Sequence, residues 1–108
     1  MKYYRIKKNA DFGKIFKKGK KVYAANLTCI YRPSDTLKMG IAISKKYGKA
    51  VRRNRIKRLL RQAFYNTCDC LQKNYSIILL PKISEEYTLA AFEQSLKVIF
   101  ARINKWER

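Results

Sequence analysis

Residues 49–64, KAVRRNRIKRLLRQAF, combine a helical apolar pattern with an unusual density of positive charge. On a helical wheel, an arc of about 140° contains Ile56, Leu59, Leu60, Ala63 and Phe64. The other positions carry seven Lys or Arg and no acidic residue. The stretch therefore predicts a helix that buries one side in a core and presents an almost wholly cationic surface on the other.

This charge is unfavourable for the helix itself. Like charges four residues apart, such as Lys57 and Arg61, repel by a few tenths of a kcal/mol. We expect Arg52, Arg53 and Arg55 in the first turn, where each exposed cation costs about 0.3 to 1 kcal/mol. A bound phosphate would supply the missing anion, whereas a merely solvated surface would normally intersperse acidic residues. The pattern favours a helix that binds nucleic acid.

The flanking patterns predict one α/β domain over residues 1–108. They place a short helix at 9–19, strand patterns at 20–33 and 37–44, a buried strand at 75–81 and an amphipathic helix at about 86–105. We expect antiparallel pairing across the turn at 33–36, and parallel pairing of the strands on either side of the basic helix. The predicted fold is a two-layer α/β sandwich with the element order αβββαβα.

The amino-acid composition indicates which class of molecule the protein binds. The net charge is +19 on 108 residues, and 47% of the residues are hydrophobic, too many for a disordered basic tail. A polyanion, nucleic acid ahead of an anionic lipid surface, is the expected partner. No apolar run approaches the roughly 18 residues of a membrane span, and no apolar segment follows the charged N-terminus, so we expect a cytoplasmic protein without a membrane partner.

The side chains offer little for protein catalysis. The chain has no His, and its seven acidic residues show no metal-ligand spacing. Three cysteines without His do not complete a zinc site. Glu85 and Glu86 are expected at the N-terminus of the last helix, where acids are favourable. We expect no catalytic residue and no metal ligand, which makes a protein-only metal nuclease the least favoured function.

A resemblance sharpens this picture. SKKYGKAVRRNRIKRLLRQAF, residues 44–64, resembles the signature of the bacterial ribonuclease P protein subunit, centred on Arg53, Asn54 and Arg55, and KNADFGKIFKKGK, residues 8–20, resembles the N-terminal helix of that family. The resemblance implies a small protein that joins a catalytic RNA and promotes removal of the 5′ leader from precursor tRNA. It further implies Mg²⁺ held mainly by RNA, no protein partner, and a left-handed crossover through the basic helix.

The resemblance also implies two sets of contacts. The catalytic RNA is expected to bind Arg53, Arg55 and Arg58. The leader is expected in a central cleft lined by Phe12, Phe16, Ile30, Asn54, Lys57 and Arg61. Ile30 aligns with an aromatic residue of the family, and Tyr31 would take that place only if the strand register slipped by one residue. The alternative function is a structural RNA-binding protein, such as a ribosomal protein or RNA chaperone, without a role in cleavage.

Overall fold

Five strands and three helices form the part of the chain that the structure, a computed structural model, describes, namely residues 2–7 and 9–108. The strands are β1 (Tyr4–Arg5), β2 (Lys20–Tyr23), β3 (Leu27–Pro33), β4 (Lys38–Ile41) and β5 (Tyr75–Pro81). The helices are α1 (Asn9–Lys18), α2 (Ala50–Thr67) and α3 (Leu89–Trp106). None of these helices is long and apolar enough to cross a membrane.

The strands form one mixed sheet in the order β1-β4-β5-β3-β2. The apolar strand β5 lies at its centre, antiparallel to β3 and parallel to β4. The parallel pairing predicted on either side of the basic helix is therefore confirmed. The antiparallel pairing predicted across residues 33–36 is wrong, because β5 lies between β3 and β4, and β3 instead forms its hairpin with β2. A strand that is apolar throughout is best satisfied at the centre, where both of its edges are hydrogen-bonded.

The N-terminal strand β1 is absent from the predicted order, which becomes βαβββαβα. It pairs parallel with β4 through two residues only. The Tyr4 N–H donates to the Leu37 carbonyl (2.9 Å) and the Ile6 N–H to the Met39 carbonyl (3.1 Å). A strand of two residues is too short to produce an alternating pattern, so its partner rather than its own sequence defines it.

The main core lies between one face of the sheet and the helices α2 and α3, which confirms the predicted α/β sandwich. Its largest fully buried side chains include Tyr31, Tyr75, Phe64, Phe92 and Phe100. Burying each such side chain contributes about 1.5 to 3 kcal/mol. The opposite face carries a smaller cluster in which Ile15 of α1 packs with Ile30 and Ile78. Helix α1 therefore lies on the other side of the sheet from α2 and α3. The handedness of the β4–α2–β5 connection stays a prediction.

Helix α2 begins about two residues earlier relative to its arginines than the sequence predicts. Lys49 is the N-cap residue and Ala50 the first helical residue, so Arg55 lies in the second turn. Arg52 does lie in the first turn, where its guanidinium donates to the carbonyls of Ser84 (2.6 Å) and Glu85 (3.0 Å). These two carbonyls offset the unfavourable position of the cation at the positive end of the helix dipole.

The last helix begins later than predicted. The Thr88 hydroxyl accepts a hydrogen bond from the Ala91 N–H (3.2 Å), and Leu89 is the first helical residue. Glu85 and Glu86 thus lie in the loop before α3, and their predicted place at its N-terminus is wrong. Threonine is a favourable N-cap because its side-chain oxygen satisfies an otherwise unpaired N–H group.

The C-terminal end of α3 is tied to the sheet through Glu107. Its carboxylate accepts hydrogen bonds from Lys20 Nζ (2.6 Å) and from the Tyr31 hydroxyl (3.0 Å). The hydrogen bond from Lys20, followed by that from Tyr31, lowers the pKa of Glu107 below its usual range. The ionised carboxylate therefore joins α3 to β2 and β3.

We expect Glu107→Gln to lower the free energy of unfolding by about 1 kcal/mol at neutral pH, because it removes the charge that both donors share. Because the pKa of Glu107 is lower in the folded state, its carboxylate stabilises the fold at any pH above the usual pKa of about 4.3. This stabilisation is lost as the pH falls through the lowered pKa of the folded state. The loss should therefore disappear in acid. Denaturant unfolding at several pH values tests this, with Glu86→Gln as a control of equal charge change; equal losses in both variants would contradict the assignment.

Candidate RNA interface

A groove of about 360 Å³ opens at the edge of the sheet beside β4. Phe12 of α1 forms one side of it, and Lys57 and Arg61 of α2 form the other. We call it the edge groove, and its full lining is Arg5, Ile6, Lys7, Phe12, Met39, Gly40, Ile41, Lys57 and Arg61. The structure thus brings together three of the six residues expected in the leader cleft.

The aromatic side of the edge groove depends on Gly40. A Cβ atom at this position would lie 2.6 Å from Cζ of Phe12, which is closer than two non-bonded carbon atoms come in proteins. Glycine therefore lets the Phe12 ring pack directly on β4, next to Ile6. The ring is only half-buried, so part of its surface stays open to a ligand.

The cationic side of the edge groove follows from the spacing along α2. Arg53, Lys57 and Arg61 are four residues apart and so lie along one side of the helix. Partial burial, and then the neighbouring Arg5, lower the pKa of Arg61 from its usual value. No acidic residue is among the described residues that line the groove. An anion can therefore bind in the groove without displacing a carboxylate of the protein from its cations.

The three arginines expected to bind the catalytic RNA do not form one surface. Arg53 is half-buried, and its Nε donates to the Gly48 carbonyl (3.2 Å). Arg55 and Arg58 are exposed on the other side of α2, about 160° and 140° around the helix from Arg53. Arg53 thus shares a side with Lys57, whereas Arg55 and Arg58 face outward. Their roles in RNA binding stay predictions.

The other residues expected in the cleft lie in different surroundings. Phe16 lies one turn beyond Phe12 on α1 and is 41% exposed. Asn54 is exposed on α2 and is not part of the edge-groove lining. Ile30 is buried beneath α1, so it contributes to the core under the aromatic side and presents almost no surface.

The alternative residue, Tyr31, points to the opposite face of the sheet. Its ring packs edge-on against Tyr75, with the ring centroids 5.4 Å apart, and its hydroxyl binds Glu107. In the described register, Ile30 and not Tyr31 therefore shares the α1 face with Phe12.

Sequence reasoning missed the contribution of the N-terminal segment. Arg5, Ile6 and Lys7 line the edge groove because β1 pairs with β4 and runs alongside the same edge. The two basic residues of this segment were a visible signal, but nothing in their local pattern indicated where the segment would dock.

The combination of groups suits a single-stranded nucleic acid. Aromatic faces stack on unpaired bases whatever their identity, and neighbouring Lys and Arg side chains neutralise the phosphates. The edge groove offers one aromatic ring and four cations, Arg5, Lys7, Lys57 and Arg61.

Comparison with known proteins points to one family. The sequence profile described as Ribonuclease P matches residues 1–104. The chain is 42% identical over 100 residues to the ribonuclease P protein component of Macrococcus caseolyticus, covering 89% of this chain and 86% of the relative. Its identity to the same component of Bacillus pumilus is 40% over 104 residues, covering 91% and 86%.

Solved structures agree in fold. The RNase P protein of Staphylococcus aureus superimposes with a TM-score of 0.80 at 34% identity, covering 93% of this chain and 94% of the other. The RNase P protein from Thermotoga maritima gives a TM-score of 0.80 at 28% identity, covering 91% and 96%. On sequence and fold together, the chain belongs to the ribonuclease P protein family.

Proposed function

We propose that this chain is the protein subunit of a ribonuclease P particle in which RNA carries out the cleavage, and that its edge groove binds the 5′ leader of precursor tRNA. Family membership supports a role in tRNA processing. The observation that carries the leader assignment is the edge groove, where Phe12 faces Lys57 and Arg61 across an open channel without acidic lining. Leaders vary in sequence, and stacking plus charge tolerates that variation.

Within this proposal the protein contributes binding and not bond cleavage. Mg²⁺ prefers several oxygen ligands. Residues 2–7 and 9–108 contain no group of three or more His, Cys, Asp or Glu side chains that could share an ion. We therefore assign the Mg²⁺ ions of the particle, and the activation of water that they supply, to the RNA. The particle would work in the cytoplasm, where precursor tRNA is made.

The two exposed arginines of α2, Arg55 and Arg58, are the best candidates for contacts with the catalytic RNA. Both are free of side-chain hydrogen bonds within the described structure, so their donors are available to phosphates. Arg53, held by the Gly48 carbonyl, would instead support the start of α2 and the charge of the edge groove.

The first prediction concerns cleavage. The purified protein, mixed with a bacterial ribonuclease P RNA and a 5′-extended precursor tRNA at low magnesium, should increase the rate of correctly placed cleavage by at least about tenfold, since each 1.4 kcal/mol of added binding is worth that factor. The protein alone should cleave nothing. RNA binding without any increase in cleavage would favour the structural RNA-binding alternative, and cleavage by the protein alone would favour a protein nuclease.

A second prediction separates RNA binding from folding. Arg55→Ala together with Arg58→Ala should weaken binding to the catalytic RNA and reduce the log–log salt slope by about 1.4 to 1.8, since two phosphate contacts are lost. The thermal midpoint should stay equal or rise slightly, because two like charges leave the helix.

The matched control for this pair is Lys97→Ala with Lys105→Ala, which removes the same charge from exposed positions of α3. It should leave the affinity nearly unchanged. If both double variants weakened binding equally, the contact would depend on net charge alone and the assignment to α2 would be wrong.

A third prediction concerns the edge groove. Lys57→Ala should lower the affinity of the reconstituted particle for a precursor tRNA by about 1 kcal/mol, with a salt slope reduced by about 0.7, because a single-stranded phosphate loses its partner. Mature tRNA has no leader, so its affinity should barely change. Equilibrium binding of the two tRNAs at several salt concentrations tests this. An equal loss for both tRNAs would place Lys57 at the catalytic RNA instead.

A further inference from the structure

A second groove continues the edge groove along the N-terminal segment. It has a volume of about 550 Å³, and we call it the arm groove. It is lined by Lys2, Tyr3, Tyr4, Arg5, Lys7 and Tyr65. Arg5 and Lys7 line both grooves, so the two grooves adjoin each other at these residues.

Two tyrosine rings of the arm groove are unusually open to solvent. Tyr4 is 58% exposed and Tyr65 is 47% exposed. The third tyrosine of the lining, Tyr3, has a different role. Its ring packs edge-on against Phe64, with the ring centroids 4.9 Å apart, and so anchors the N-terminal segment to the core. The packing of the fold therefore accounts for Tyr3. Lys2 covers one face of the Tyr65 ring, which is still 47% exposed, and the Tyr4 ring is more open still.

The charges around these rings are suited to an anion. Lys2 Nζ lies 4.2 Å from the centroid of the Tyr65 ring and donates to Asp69 (3.0 Å). Asp69 is therefore already paired, and it is not part of the lining. Lys2 is engaged by the same ion pair, whereas Arg5 and Lys7 are cations of a lining that contains no acidic residue.

Helix α2 contributes side chains to both grooves. Lys57, Arg61 and Tyr65 are four residues apart, so they lie along one side of the helix and span about 12 Å from first to last. Lys57 and Arg61 belong to the edge groove and Tyr65 to the arm groove. At about 3.4 Å per stacked base, this distance corresponds to about four nucleotides.

We propose that the arm groove binds unpaired RNA, with bases of the leader stacking on Tyr4 and Tyr65 after the strand leaves the edge groove. The inference rests on the proposed function, since it takes the leader as the strand in the edge groove. It adds a second binding segment, which only a leader long enough to pass Arg61 can reach. Affinity for precursor tRNA should therefore increase when the leader is lengthened beyond the edge groove.

The test uses the reconstituted particle and two precursors, one whose leader fills only the edge groove and one extended by about four nucleotides. Tyr4→Leu with Tyr65→Leu removes both flat rings and keeps apolar volume. This variant should bind the extended precursor at least about fivefold more weakly than the wild type does, since the loss of even one stacked base is worth that factor. Its affinity for the short precursor should stay within about twofold of the wild-type value.

Two controls separate stacking from other causes. Tyr4→Phe with Tyr65→Phe keeps both rings and should bind both precursors like the wild type. Tyr23→Leu removes a ring that is 56% exposed on β2, at the opposite edge of the sheet, and should have no effect on either precursor. Thermal unfolding of each free variant checks the fold.

The outcomes distinguish this inference from the proposed function. If the wild type gains no affinity from the longer leader, or if the Leu variant weakens both precursors equally, the arm groove does not bind the leader. Either result leaves cleavage by the wild-type particle intact. If the wild type fails to promote cleavage at all, the proposed function itself is wrong.

Discussion

Parallel pairing between β4 and β5 determines where the functional side chains lie. Antiparallel neighbours can be joined by a tight turn, but parallel neighbours need a long crossover, and α2 supplies it here. Because α2 buries Ile56, Leu60 and Phe64 against the sheet, its Lys57 and Arg61 are carried to the edge beside β4. The short strand β1 then pairs with β4 at the same edge and places Arg5 in the same groove. Packing of the core thus assembles the cationic surface without any attraction between its members.

The described acidic residues lie outside the lining of the edge groove. Asp69 pairs with Lys2, Glu107 with Lys20 and Tyr31, and Glu93 accepts a hydrogen bond from Asn66. Residues 50–67 of α2 contain no acid at all. Helix stability is consequently weaker than a surface with mixed charge would give, and the buried side of α2 offsets the loss. Under the proposed function, folding and RNA affinity are assigned to two sides of one helix.

Local patterns predicted the elements well, and pairing partners poorly. The apolar arc of α2 and the unbroken apolar run of β5 each require a particular environment, so both were correctly predicted. The hairpin between β3 and β4 was wrong because strand neighbours depend on the whole sheet, in which β5 competes for the same edge. The family resemblance grouped Arg53 with Arg55, and although the helix turns them to different sides, their shared role stays a prediction. The roles of the arm-groove tyrosines depend on where β1 docks, which a two-residue strand does not encode.

The sheet ends on both sides in short strands, of two residues in β1 and four in β2. Free backbone groups at a sheet edge are a template for pairing with another chain, and short edges with lysines resist it. Lys20 and Lys21 lie on β2. In the free protein, the net charge of +19 already keeps copies apart. An RNA partner would neutralise that long-range repulsion, and protection from aggregation would then depend on strand length and on the lysines of β2.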